Sequence, residues 1–510
     1  MPIFIPLTVI ALLFSQSFGA GGVRCGTVQF MENSKKSEKR LAKPGFDNCR
    51  ADNYYITVSD TMTKNFIIYY TTDKTSPHAV TREYIDSLAK YLEEAYNFHK
   101  NLGMAGILGQ RQTWHYRKSV PLGFYPVEVI DTGLLRGEEG EYSNAYGLVF
   151  PVNTQSTQMI IENDFLYGAN CSGASSTEPF YSHINGDYSR PGKWHLALKV
   201  TVFHELYHSF QINQVRNMTS RNTFWLEASA TGVEELAAPE VNDYVSYVHD
   251  YINYYIWPSL IDSIVNIWRE EDPPGYNWAP FYLFLASELG QNFDSFIWKS
   301  FFQAQNDIFP VHLARYANSL EIDAEYLFHK YASYVFYSGK RAKFLPDSLL
   351  PIPRYLSDLP IWPERAVGKT LRRVLPEASF YFLEKTSENP PSIDSVWGVS
   401  SLNYGDSSVW VLSRLLKTGV LPPKLNKFVA YPNPWNPRNP RTPEIKFAPL
   451  PENSTGIEIR SSNGVLLDRI KGNPGDELTW GQNSKKPPAP GILYYRTLPH
   501  GKNKVLIVEY

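Results

Sequence analysis

The stretch VFHELYHSFQ, Val202 to Gln211, constrains the fold more than any other part of this 510-residue chain. Two histidines four positions apart sit in a largely apolar run, with a glutamate beside the first. In an α-helix, residues four apart share a face about 5.4 Å along the axis, so His204 and His208 can point their imidazoles at one place. Leu196, Val200, Phe203, Tyr207 and Phe210 recur around them at helical spacing, which predicts a substantially buried helix. Imidazoles in such a helix need partners. Core histidines find backbone carbonyls or carboxylates, and metal ligands need a further donor converging on the same point.

A candidate for that donor is Glu227 in FWLEASATGVEELAAPE. His-Glu-x-x-His, eighteen residues and then Glu is the spacing of the gluzincin metallopeptidases of the aminopeptidase-N type. Around Glu227, WLEASATGVEE resembles that family's WLNEGFASYVEY: an aromatic-leucine entry, the ligand, Ala230, Thr231 and a further acid, Glu234. The resemblance implies Zn2+ held by His204, His208 and Glu227, with Glu205 as general base toward a zinc-activated water. A structural zinc has no need of Glu205. The family's oxyanion donor is a tyrosine in a YxKG segment. Here GYNWAPFYLFLASELG has a similar layout without the Lys-Gly pair, which puts Tyr276 first, leaves Tyr282 close behind, and keeps His249 as an alternative.

Residues that orient the imidazoles are left open among Thr231, Glu234 and Asp243, because Thr231 stands where thermolysin-like enzymes place an aspartate. The GAMEN signature that anchors a free α-amino group is missing. Its nearest counterpart is MIIENDFLYG, in which Glu162 and Asn163 read as substrate-binding residues on an edge strand. Without the amine anchor, the expectation is an endopeptidase acting on proteins or peptides. The competing expectation is a catalytically inactive extracellular or cell-surface protein that binds glycan or protein and keeps a vestigial or structural zinc site.

Charge excludes other partners. With 49 Lys+Arg against 51 Asp+Glu and a net charge of -2, the chain offers no long-range attraction to nucleic acid or anionic membrane. Residues 1–20 carry an apolar run from Ile3 to Phe14 followed by small residues, with Ser17 and Gly19 spaced for cleavage, and read as a signal peptide. No later segment is apolar enough to span a bilayer, so the expected product is secreted or held at a bacterial cell surface. Residues 21–53 read as an N-terminal arm and candidate pro-segment. Arg24-Cys25-Gly26 faintly resembles the zinc-capping cysteine of matrix-metalloproteinase propeptides, and Cys25, Cys49 and Cys171 leave the disulfide pairing open.

Strand-like runs such as NFIIYYTT, YPVEVID, YGLVF and QMIIENDF precede a helix-rich stretch, which predicts an α+β fold with a gluzincin-like core over 54–345. In REYIDSLAKYLEEAYNFHK, Ile85, Leu88, Leu92, Ala95 and Phe98 mark the apolar face of a helix. Prolines crowd the sequence near Leu345, and a β-rich accessory module is expected over 346–425. Residues 426–510 predict a β-sandwich from short strand signals. YPNPWNP, a strand ending in SSNG, Trp480, PGILYYR and the terminal Lys-Val-Leu-Ile strand resemble the FlgD-like immunoglobulin-type domains that serve as type IX secretion sorting signals. That resemblance implies a secretion machinery or cell surface as partner for the tail.

Overall fold

The computed structural model describes residues 57–136, 145–151, 156–166, 180–215, 224–248, 264–266, 275–304, 307–346, 377–416 and 428–508, apart from a few short omissions, together with 45–46, 222 and 367–368. The leader, the arm's three-residue cysteine motif, all three cysteines and His249 lie outside the described residues. The protein is of mixed α+β architecture and divides into two compact units, the second beginning at Ile308 and including a strand at 264–266.

In the first unit, near-continuous apolar runs give four strands buried on both faces, β2 (Phe66–Tyr70), β3 (Tyr125–Ile130), β4 (Gly147–Pro151) and β5 (Thr157–Glu162). A fifth, β1 (Ser59–Met62), is polar and only partly buried. The sheet order is β1-β2-β3-β5-β4, with β2, β3 and β5 parallel and the two edge strands antiparallel. Helix α1 (Arg82–Asn101) starts at Thr81, whose side chain accepts the Tyr84 N–H, and buries Tyr84, Ile85, Leu88, Leu92, Ala95 and His99. The face follows the predicted spacing until its last turn, where His99 rather than Phe98 is buried and contacts the Phe203 carbonyl at 3.0 Å.

The centre of the unit is α2 (Trp194–Gln214), which packs on α1, β4 and β5. Of residues 197–212 only Lys199 escapes burial, so this helix is enclosed all round rather than amphipathic. Helices α3 (Phe224–Ala237), α4 (Ala279–Leu289) and α5 (Phe293–Gln303) complete the unit, α3 lying against α2 and α4. Gly275 brings the segment before α4 onto the start of α3: its φ is 111°, and a Cβ there would sit 2.0 Å from the Phe224 carbonyl oxygen.

The second unit opens with α6 (Phe309–Ser319) and α7 (Ala324–Phe336), and its sheet is built from β6 (Ile264–Asn266), β7 (Val367–Gly368), β8 (Ser379–Glu384), β9 (Gly398–Tyr404) and β10 (Ser407–Arg414). The expected break near Leu345 is not where the units divide. Helix α7 belongs with these strands: Phe336 packs 5.0 Å from Phe382, His329 bonds Ser413 and Ser400 at 2.8 and 2.9 Å, and Glu325 takes the Leu415 and Leu416 N–H groups.

The tail forms two antiparallel sheets around one core. The smaller is β11 (Val429–Tyr431), β12 (Ile445–Ala448) and β15 (Leu478–Trp480); the larger, in order β14-β13-β16-β17, is β13 (Gly456–Ser461), β14 (Leu466–Lys471), β16 (Gly491–Leu498) and β17 (Lys504–Val508). Trp435, Phe447, Ile457, Ile459, Tyr495 and Val508 fill the space between them. Alternation along β13 sends Ile457 and Ile459 inward and Glu458 and Arg460 outward. Among the described residues no helix is long and apolar enough to cross a membrane.

Candidate metal centre

Helical spacing on α2 places the His204 and His208 rings 4.8 Å apart, and α3 delivers Glu227 to the same point. The Nε2 atoms of the two histidines are 3.1 Å apart, and Glu227 Oε2 lies 2.9 Å from one and 3.5 Å from the other. All three side chains are buried. Among the described residues this is the one group of three such side chains close enough to share a metal ion.

The outward nitrogens decide what the inward ones can do. His208 Nδ1 meets Gln211 Oε1 at 2.6 Å, and the Gln211 amide donates to the Leu226 carbonyl and the Ser229 hydroxyl, fixing which end faces the histidine. His204 Nδ1 faces Glu234 Oε2 at 3.4 Å. Both imidazole protons therefore belong on Nδ1, leaving two Nε2 lone pairs aimed at each other and at a carboxylate. Such a convergence is repulsive unless a cation stands in it.

Two further observations fit a metal ion. Glu227 Oε1 is buried with no hydrogen-bond partner among the described residues. Metal–ligand bonds of about 2.0–2.1 Å in tetrahedral array put ligand atoms roughly 3.3 Å apart, close to the separations seen. The electrostatics demand positive charge at this point. Burial opposes a charged His204, but Glu227 and Glu234 outweigh it and push its pKa up to about 10. Burial likewise opposes a charged Glu227, yet His208 and His204 hold it down at about 2. The site takes up a proton in the space where a divalent ion satisfies all three donors.

Glu205, the residue after His204, is also buried. It borders a cavity of about 10 Å³ with Tyr146, Val200, Thr201, His204 and Glu234, the scale of one water molecule. Gly147, at the start of β4, packs against two of these side chains, and only glycine fits there: a Cβ would lie 2.8 Å from Glu205 Cγ and 3.0 Å from the Thr201 methyl.

The structure separates the two tyrosines that the sequence left open. Tyr276 stacks on His204, with ring centroids 6.0 Å apart and planes at 25°, and Tyr247 stacks on Tyr276 at 4.8 Å. Tyr282 is fully buried against Trp225 and Phe293 instead. Of the residues expected to orient the imidazoles, Glu234 is the one that lies against a ring nitrogen, 3.4 Å from His204 Nδ1. Thr231 is buried with its hydroxyl unpartnered among the described residues, and Asp243 takes the Tyr188 hydroxyl at 2.5 Å. Gln211 was missed, although its place three positions after His208 on the same helix made it legible.

Glu162 and Asn163 do not join this group. Glu162 ends β5 and Asn163 follows it; β5 lies between β3 and β4, so the edge is β4 and not the strand the sequence suggested. Glu162 is fully buried and accepts both the N–H and the hydroxyl of Thr132. Burial, with Asp131 and Asp164 nearby, raises its carboxyl well above the usual range. The Asn163 amide donates to the Pro77 and Ala79 carbonyls, each at 3.0 Å. The chain matches no protein-family model and no curated protein.

Proposed function

We propose that the protein is a secreted, zinc-dependent metallopeptidase of gluzincin type that cleaves internal peptide bonds. The observation that carries this reading is the convergence of His204, His208 and Glu227 lone pairs on one point, with buried Glu205 next to His204 on the same helix and lining a small cavity with it. Zinc on two imidazoles and a carboxylate supplies Lewis acidity at an open position, lowering a water's pKa toward neutrality and polarising a carbonyl.

The chain's own residues account for the remaining steps. Glu205 accepts the proton of the attacking water and returns it to the departing amine. Glu234 and Gln211 hold the Nδ1 protons, keeping both Nε2 atoms as donors. Tyr276, stacked with both Tyr247 and His204, supplies the phenol that steadies the developing oxyanion. The missing GAMEN signature favours internal bonds over N-termini. The two-sheet tail, with its YPNPWNP entry, supports an immunoglobulin-like sorting domain read by a type IX-like secretion machinery or cell surface.

The test compares wild type with Glu205→Ala for metal content and for hydrolysis of casein and a broad peptide library. Loss of a general base is expected to cost on the order of 10²–10⁴-fold in rate with zinc retained. Zinc-loaded wild type that cleaves nothing would end the enzyme reading and favour a binding protein.

A further inference from the structure

We propose that Asp294 is a positioning residue for the metal centre, a buried carboxylate that locks α2 and α3 at the rotation their ligands need. This rests on the metal-binding reading above and adds a residue that the sequence motifs do not contain.

Asp294 lies at the start of α5 and is buried among aromatic rings. Three donors from three helices meet its two oxygens. Trp225 Nε1 of α3 donates to Oδ1 at 2.7 Å, Trp298 Nε1 of α5 donates to Oδ2 at 2.9 Å, and the Tyr207 hydroxyl of α2 also donates to Oδ2. Tyr207 immediately precedes His208, and Trp225 stands two positions before Glu227.

Successive helical residues are rotated by about 100°, so Tyr207 points about 100° and Trp225 about 160° away from the ligand each accompanies. Holding another face of each helix sets the azimuth of the ligand face. A single acceptor shared by α2 and α3 therefore fixes the direction from which His208 and Glu227 approach each other, as supports behind a metal site must. The third arm, from Trp298, starts on α5 itself, and its indole also reaches the Tyr207 hydroxyl of α2; the internal control is Tyr116, outside α2 and α3, whose hydroxyl donates to the Val129 carbonyl at 2.9 Å.

The experiment measures zinc affinity by competition with a chromophoric chelator, the visible spectrum of the Co2+-loaded protein, and the urea midpoint of the full chain. The variants are Asp294→Asn, Tyr207→Phe, Trp225→Phe and Tyr116→Phe. Asp294→Asn, Tyr207→Phe and Trp225→Phe are expected to weaken zinc roughly tenfold or more and to alter the Co2+ spectrum. Tyr116→Phe should lower the urea midpoint comparably while leaving the zinc Kd within about twofold. Equal weakening by Tyr116→Phe and Trp225→Phe would overturn the inference, reducing Asp294 to a general stabiliser. Unchanged affinity in Asp294→Asn and Trp225→Phe would overturn it as well. Wild type that binds no zinc would bring down the metal reading and this inference together, a result distinct from failure of the variants alone.

Discussion

Two buried glutamates, one in each unit, are both held near pKa 2 by neighbouring positive charge, and the source of that charge differs. Glu458 in the tail is covered by Arg460, Arg496 and Arg469, which bond both of its oxygens at 2.5–3.3 Å and depress its carboxyl, Arg460 foremost. Its charge is matched by cations the chain itself supplies. Glu227 faces two imidazoles that become cationic only by taking up a proton, and keeps one oxygen unpartnered among the described residues. One carboxylate is finished by folding, and the other asks for something the sequence does not encode. A perturbed acid marks a site only when its neighbours leave its demand unmet.

Exchanging each for its amide should break the comparison most visibly. Glu227→Gln removes an anionic ligand and is expected to weaken zinc by roughly a thousandfold or more, measured by chelator competition. Glu458→Gln should leave zinc affinity unchanged and lower only the urea midpoint of the tail. Equal effects on zinc would dissolve the distinction.

Next in size is a pH effect confined to the metal-free protein. His204 is raised to about 10 in the folded state, so the stability it contributes is fully present below about 6.5 and is lost as pH rises through 10. Urea melts of metal-free protein should therefore lose on the order of a few kcal/mol between pH 7 and 10. Zinc-loaded protein should not show that loss, because the ion replaces the proton. Glu227 and Glu458 behave the other way: their contributions are complete above about 4.5 and fade as pH falls through 2.

The smallest expected effect concerns the supports. Glu234→Gln and Gln211→Ala should each weaken zinc about 10–100-fold without removing a ligand. Effects as large as that of Glu227→Gln would mean that one of them ligates directly.

The parts of the site that were legible in the sequence are those fixed by local geometry. His204 and His208 share a face because any helix makes them do so, and Glu234 and Gln211 follow from the same periodicity. Glu162 was misplaced because an apolar run does not reveal where its strand stands in a sheet, although burial of every residue of Thr157–Glu162 is the mark of an interior strand. Tyr276 and Tyr282 share a segment, and only tertiary packing separated them. Asp294 had no local signal, since it meets Tyr207 from another helix far along the chain. The prolines near Leu345 mark chain irregularity, but they carry no information about α7 packing on strands that come after them.

The central claim is that this convergence exists to hold a metal ion. The most direct measurement is zinc stoichiometry of extensively dialysed protein, with X-ray absorption spectroscopy of the bound metal. The account predicts one zinc per chain, coordinated by two imidazole nitrogens and carboxylate oxygen at about 2.0–2.2 Å, and loss of that zinc in Glu227→Gln. Wild type that emerges metal-free and refuses added zinc, or binds it equally well after Glu227→Gln, would contradict the account.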